Sequence, residues 1–227
     1  MNREDRGILV GMVLGDGYLN VRNRLKSGKY KYESSELVVV HSVKQRDYCL
    51  HKADLVRRIF GGKFSVTERS AHLSNGKSYP LVGFSKSNTY FRILKKLMYC
   101  DNMKTITTQV LNMLTPHGIA IWYMDDGHAR VNINKDGYVS SCSTDWSTCC
   151  SQEEAITICE WFKAQYDLNF KPYPTKGRFS IRCNTADSHN FARLIEPYII
   201  PSMRYKLQHV ADLSLHERRA PKGDDIV

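Results

Sequence analysis

The sequence predicts an α+β protein built from two copies of one unit, each in the order helix, two strands, helix, two strands, helix. Two apolar segments end in Asp-Gly, at Asp16 and Asp126, so they recur 110 residues apart in a chain of 227. Later features recur at offsets that fall to 100, at Phe91 and Phe191. Helices that keep their register while connections change length are typical of a diverged duplication. Strand segments with alternating polarity predict antiparallel sheets.

The first copy begins at Asn2, a predicted N-cap for the helix that ends near Asp16. A capping-box pattern at Ser42 predicts the second helix through Phe60. A third helix is expected around Phe91. The strands predicted between these helices are Tyr18–Arg24, Tyr32–His41 and Lys63–Thr67.

The second copy opens at Thr115 and Pro116, an N-cap followed by an N1 proline. A second capping box at Ser151 predicts the helix through Tyr166. The predicted strands are His128–Asn134, Tyr138–Thr144, Asn169–Tyr173 and Arg178–Cys183. The sequence therefore divides into units 1–106 and 107–227, the second with a charged C-terminal tail.

The charge composition of the chain favours an anionic binding partner. Lys and Arg number 33 against 23 Asp and Glu, which gives a net charge of +10 and favours a polyanion such as nucleic acid. No run of 18 apolar residues predicts a membrane span, and the N-terminus carries no secretory or transit pattern. The seven cysteines lack metal-binding spacing, so we expect free thiols.

The two Asp-Gly ends are the strongest chemical signal. Asp-Gly is also a common helix stop, because glycine adopts the left-handed conformation. However, a carboxylate at a helix C-terminus is unfavourable by roughly 0.3–1 kcal/mol. Two such ends on matching helices, Asp16 and Asp126, predict a compensating cation held between them.

Polar side chains recur on one face of the predicted strands. Arg130, Asn132 and Asn134 alternate with apolar residues, and Arg178, Ser180 and Arg182 do the same. Such residues read base edges and hold phosphates, although a plain solvated face is the simpler alternative. Alternation is less regular in the first half. The predicted DNA-binding residues are Arg22, Arg24, Lys29, Lys31, Arg69, Lys77, Lys86, Arg130, Asn132, Asn134, Lys171, Lys176, Arg178 and Arg182.

With these motifs assembled, the chain resembles the LAGLIDADG homing endonucleases of the single-chain, two-motif type encoded by group I introns. The resemblance rests on Leu9–Gly17, Ile119–Gly127, Leu114–Pro116 and Ile200–Leu207, and it spans residues 5–207. It implies two pseudo-symmetric αββαββα units with their signature helices side by side. Their two antiparallel four-stranded sheets would form a saddle over DNA.

The resemblance also implies site residues. Asp16 and Asp126 would bind Mg²⁺, which Mn²⁺ or Ca²⁺ would replace, and Lys104 and Lys206 would assist catalysis. Gly15 and Asp125, which precede the two acids, are included in the predicted metal site. Asp125 is assigned mainly to packing, because its counterpart in the first motif is a glycine. Small residues at Gly7, Gly11 and Gly15 face no matching ridge in the second motif, so the helix interface is expected to be asymmetric.

The implied reaction is hydrolysis of both strands of double-stranded DNA. Strands of about seven residues in each half predict a target of roughly 16–22 base pairs. An RNA maturase that binds its host intron, a DNA-binding regulator and a structural module are the alternatives, and the first two would not need the acids. We expect a monomer without membrane association, in a mitochondrion, chloroplast or bacterial cytoplasm.

Overall fold

The computed structural model describes residues 1–26, 30–72, 76–135 and 139–207. The first helices and strands are α1 (Arg3–Leu14), β1 (Tyr18–Lys26), β2 (Tyr30–Ser42), α2 (Arg46–Phe60), β3 (Thr67–His72), β4 (Ser78–Ser87) and α3 (Tyr90–Met98). The connecting elements are β5 (Tyr99–Cys100), β6 (Met103–Lys104) and α4 (Thr108–Leu111). The second series is α5 (Pro116–Asp126), β7 (Gly127–Ile133), β8 (Val139–Cys150), α6 (Gln152–Tyr166), β9 (Lys171–Thr175), β10 (Arg178–Cys183) and α7 (Thr185–Ile195).

The predicted α+β fold with repeated helix–strand order is confirmed. One sheet has the strand order β1-β2-β4-β3 and the other has β7-β8-β10-β9, so the two orders are equivalent. All pairs within these sheets are antiparallel. The same topology twice in one chain is the structural counterpart of the sequence repeat.

Two compact units are present, and the helix α5 belongs to the first. That unit comprises Met1–Asp126 with Ile200–Met203, and the second comprises Gly127–Ile199 with residues 204–207 of the described part. Helix α5 lies with the first unit because it packs along α1. The sequence boundary between residues 106 and 107 follows the repeat, and as a domain boundary it stays a prediction.

The predicted helix starts hold at three of four positions. Asn2 and Thr115 accept backbone N–H groups at the starts of α1 and α5, and Ser151 forms a full capping box with Glu154. Ser42 is the exception, because its hydroxyl caps a short 3-10 turn and α2 begins only at Arg46.

The strand predicted at Lys63–Thr67 is wrong in position, since β3 starts at Thr67. Gly61 and Gly62 have φ angles of +63° and +75°, which turn the chain after α2. Phe64 then packs on Phe84 at a ring distance of 5.3 Å, so the segment after the turn serves as a packed connection.

Helices α1 and α5 approach so closely that side chains are excluded from their contact. A Cβ on Gly11 would lie 2.1 Å from the Gly118 carbonyl oxygen, and a Cβ on Gly118 would lie 2.2 Å from the Gly7 carbonyl oxygen. Backbone therefore packs on backbone, which brings the C-terminal ends of the two helices together.

Each unit has its own core. In the first, Leu37, Val39 and Phe84 are buried on one side of the sheet. In the second, Trp146 and Phe170 pack around Phe162 at ring distances of 5.6 and 4.8 Å. The seven cysteines are free thiols, five of them buried. Among the described residues, no helix has the length and apolarity needed to cross a membrane.

Candidate active site and nucleic-acid face

The C-terminal ends of α1 and α5 are joined through Asp125. Its Oδ2 accepts the backbone N–H of Asp16 at 3.0 Å. The carboxylate occupies the space beside Gly15, where a Cβ would lie only 2.1 Å from Oδ2. The glycine that makes the two motifs unequal thus provides the room for the additional acid of the second motif.

Asp125 is paired with a lysine inside the protein. Lys52 Nζ, on α2, donates to both carboxylate oxygens at 2.6 and 2.7 Å, and both side chains are 0% exposed. The same Nζ lies 3.2 Å from Nε2 of His41. The sequence prediction that Asp125 serves packing stays open, but its carboxylate is neutralised by Lys52.

His41 connects this buried pair to Asp16. Its Nδ1 lies 3.3 Å from Asp16 Oδ2, and the Asp16 side chain is 43% exposed. Ligand atoms of Asp16, His41 and Asp125 all lie within 4.8 Å of one another. An accessible carboxylate therefore stands at the edge of a buried polar cluster.

Lys104 lies at the same helix end. Its Nζ donates to the Gly15 carbonyl oxygen at 2.7 Å, where the helix dipole is negative. Burial lowers the pKa of Lys104, and the nearby carboxylates of Asp126, Asp16 and Asp125 oppose that shift. Lys104 thus adds positive charge at the Gly15 carbonyl, and the metal ion expected between Asp16 and Asp126 stays a prediction.

Asp126 is held from within its own helix. The indole N–H of Trp122, one turn earlier, donates to Asp126 Oδ2 at 3.2 Å. Lys206 belongs to the second unit, where it ends the 3-10 segment Pro201–Lys206 and is 8% exposed. Its catalytic role stays a prediction.

The donor chemistry of this helix end fits a hard divalent cation. Carboxylate oxygens are the ligands that Mg²⁺ prefers, and Mg²⁺ keeps several waters. Asp16 combines a carboxylate with solvent exposure, and Lys104 adds positive charge at the end of the same helix. Asp125 is a weaker candidate ligand, because Lys52 and the Asp16 amide already use both of its oxygens.

The first sheet has an open face opposite its helices. A groove there is lined by Tyr18, Glu36, Val38, Thr67, Arg69 and Ser85. Arg69 is exposed on this face, and Lys77 is exposed just before β4. Arg22, Arg24 and Lys31 lie on β1 and β2 with side chains outside the described part, and Lys29 lies outside the described residues.

Lys86 does not share that face. It has the same strand parity as buried Phe84, and its Nζ donates to the Gly61 carbonyl oxygen at 2.8 Å. Lys86 therefore ties β4 to the turn after α2, and its contact with DNA stays a prediction.

The second sheet gathers predicted residues on its own open face. A groove of about 460 Å³ is lined by Arg130, Asn132, Ser143, Lys171, Tyr173 and Arg182. Arg178 and Lys176 are exposed at the β9–β10 turn, and Asn134 is exposed after β7. Ser180 shares the strand side of Arg182, but it is 1% exposed, which separates it from the polar residues with which the alternation grouped it.

Asp145 organises the cations of this groove. Its buried carboxylate receives Arg182 through two hydrogen bonds, and Arg130 Nε lies 3.4 Å away. Arg182 also lies 4.3 Å over the Tyr173 ring, and its pKa is raised chiefly by the hydrogen bonds to Asp145. Arg182 is consequently held in one orientation at the open face.

Sequence reasoning missed Lys52, His41 and Asp145. Lys52 lies four residues after Tyr48 and four before Val56, both buried, so it occupies the apolar stripe of α2. A lysine at such a position is a usable signal for a buried charge. His41 follows the apolar run of Val38 to Val40, and Asp145 lies in a polar stretch, so neither carried a comparable signal.

Comparisons with known proteins agree with this geometry. The profile of the LAGLIDADG DNA endonuclease family matches residues 6–191. A RecA protein of Mycolicibacterium chitae is 26% identical over 206 residues, which cover 88% of this chain and 45% of that protein. The chain thus spans about half the length of the first curated relatives that it matches.

Another relative matches over nearly its whole length. DNA endonuclease I-ChuI of Chlamydomonas applanata is 22% identical over 220 residues, which cover 91% of this chain and 95% of that enzyme. A solved structure of the homing endonuclease I-WcaI bound to its DNA recognition sequence aligns with a TM-score of 0.72 and 23% identity. That alignment covers 91% of this chain and 86% of the other. At this identity, the structural match establishes the fold alone.

Proposed function

Because the chain belongs to the LAGLIDADG DNA endonuclease family, we propose that it is a site-specific DNA endonuclease that makes a metal-dependent double-strand break. The observation that carries this proposal is the meeting of two helix ends, with Asp16 and Asp126 closing α1 and α5 and Lys104 bound to the Gly15 carbonyl oxygen beside them. Acids at a helix C-terminus, where the dipole disfavours them, are explained by a reaction that needs them.

The proposed chemistry assigns each residue a task. Asp16 and Asp126 would hold Mg²⁺, or Mn²⁺ or Ca²⁺ in its place. Such a metal polarises a phosphate and lowers the pKa of bound water. Lys104 would place a desolvated positive charge where the scissile phosphate gains negative charge. We propose the equivalent task for Lys206.

The proposed substrate is a long duplex of roughly 16–22 base pairs, estimated from strand length. Arg130, Asn132, Lys171 and Arg182 line one groove of the second sheet, and a net charge of +10 supports binding to a polyanion. In keeping with its sequence resemblance, we propose that the protein acts as a monomer encoded in a group I intron.

A plasmid cleavage assay tests the proposal. Supercoiled DNA that carries the intronless host sequence should become linear with protein and Mg²⁺, and EDTA should prevent this. Asp16→Asn and Asp126→Asn should each abolish linearisation while target binding is retained. The control is Asp54→Asn, an exposed acid on α2. Linear product from both active-site variants would refute the assignment, and specific RNA binding without DNA cleavage would favour the maturase alternative.

A further inference from the structure

The buried ion pair between Lys52 and Asp125 requires an explanation. Both side chains are 0% exposed. A pair of this kind contributes little net stability, because removal of two charges from water offsets their attraction. The role of this ion pair therefore lies in the other contacts of Lys52 and Asp125.

One contact of Asp125 and one contact of Lys52 lead to Asp16. Asp125 Oδ2 accepts the Asp16 backbone N–H at 3.0 Å, which fixes the main chain of that residue. Lys52 Nζ lies 3.2 Å from His41 Nε2, and His41 Nδ1 lies 3.3 Å from Asp16 Oδ2. Asp125 thus contacts the main chain of Asp16 directly, and Lys52 contacts its carboxylate through His41.

Packing leaves this cluster little freedom. The Tyr48 ring lies 4.5 Å from Lys52 Nζ and 5.2 Å from the His41 ring. Tyr48 is itself anchored, because its hydroxyl donates to the Ile121 carbonyl oxygen on α5 at 2.8 Å. A rigid, fully packed cluster is suited to hold a carboxylate within the narrow tolerance that catalysis demands.

The residues of this cluster differ from their counterparts in the other sequence repeat. At the repeat offsets of 110 and 109, the counterpart of Asp125 is Gly15, and the counterpart of Lys52 is Trp161. His41 corresponds to Cys150 by the same offset. None of these counterparts carries a charged side chain at neutral pH, and Asp126 is held instead by the Trp122 indole.

We propose that Lys52 and Asp125 are positioning residues that serve Asp16 and not Asp126. Loss of the pair would then slow the cutting of one DNA strand and spare the other, which produces nicked instead of linear DNA. This inference rests on the proposed endonuclease function.

The decisive variant removes both charges together. Lys52→Met/Asp125→Leu leaves no unpaired buried charge, so the fold is expected to persist. A second variant, Lys52→Met/Asp125→Asn, keeps an oxygen that accepts the Asp16 amide, and partial recovery is expected. The control is Asp54→Ala/Arg57→Met, which removes an ion pair between exposed Asp54 and half-buried Arg57 on the same helix.

Two readouts separate positioning from a general structural effect. On a duplex labelled at each 5′ end, one strand should be cut about 100-fold more slowly, the loss that a misplacement of about 1 Å produces. The other strand should keep its wild-type rate. Mn²⁺ titration of the protein, alone and with target duplex, followed by electron paramagnetic resonance, should show binding weakened by about 10–100-fold.

Each outcome decides the matter. Equal slowing of both strands, or no slowing of either in a folded variant, overturns the inference. A wild-type protein that cuts no DNA refutes the proposed function instead. The Mn²⁺ titration is then the remaining test of the positioning role. In that case, unchanged Mn²⁺ affinity in the Lys52→Met/Asp125→Leu variant overturns the positioning role.

Discussion

Removal of Lys52 alone should destabilise the protein far more than removal of the whole pair. Lys52→Met leaves the Asp125 carboxylate buried with the Asp16 amide but without its cation. Breaking a buried pair in this way costs about 3–5 kcal/mol of unfolding free energy. In Lys52→Met/Asp125→Leu, the main losses are the hydrogen bond to the Asp16 amide and the contact of Lys52 with His41, together about 1–3 kcal/mol. The double variant should therefore be more stable than the single one.

The assay is urea unfolding followed by circular dichroism, with thermal melting in parallel. For a chain of this size, about 1 kcal/mol moves the melting temperature by about 2–4 °C, so Lys52→Met should melt roughly 6–20 °C below the wild type. The matched control is the surface pair of Lys163 and Asp167, with side chains 55% and 86% exposed. Its loss should leave the urea midpoint close to that of the wild type, because exposed ion pairs add little stability.

A Lys52→Met protein that unfolds like the surface control would refute this reasoning. It would mean that water or another cation reaches Asp125, and that the pair is not sequestered as the structure has it. A double variant less stable than the single would refute it too, because the cost would then lie in packing and not in charge.

Three further predictions concern packing and DNA binding. Gly11→Ala should lower the unfolding free energy by about 1–3 kcal/mol, because its Cβ would meet the Gly118 carbonyl; an unchanged urea midpoint would argue against the close helix contact. Asp145→Asn should release Arg182 and reduce discrimination at one base pair by about 1–3 kcal/mol in competition binding. Equal weakening on every sequence would contradict it. Fluorescence anisotropy should give a slope of log K against log salt of roughly −5 to −9 for six to ten phosphate contacts, and a slope near −1 would exclude a broad basic surface.

Local signals in the sequence were sufficient for much of the fold. The N-caps Asn2 and Thr115 and the capping box of Ser151 act within a few residues, so they mark helix starts without tertiary information. Strand alternation is equally local and predicted the two antiparallel sheets. The repeat itself came from spacing between Asp16 and Asp126, which needs no structure.

Predictions that depended on distant partners fared less well. The sequence indicates a surface cation at Lys86, yet its Nζ donates to the carbonyl oxygen of Gly61, which lies 25 residues earlier in the chain. Alternation groups Ser180 with Arg178 and Arg182, yet β8 and β10 shift register between Phe179 and Ile181, and the Ser180 hydroxyl is buried. Alternation predicts the side of a strand, but neighbouring strands decide whether that side meets water.

The sequence by itself determined the duplicated fold, the two acids that close the signature helices and the basic character of the chain. Only the tertiary structure decided how one of those acids is held. Lys52 and Asp125 are 73 residues apart, and their pairing requires the cavity that Gly15 leaves where α1 and α5 meet. A buried charge is tolerated only beside its partner, and that partner is chosen by helix packing, which no local pattern records.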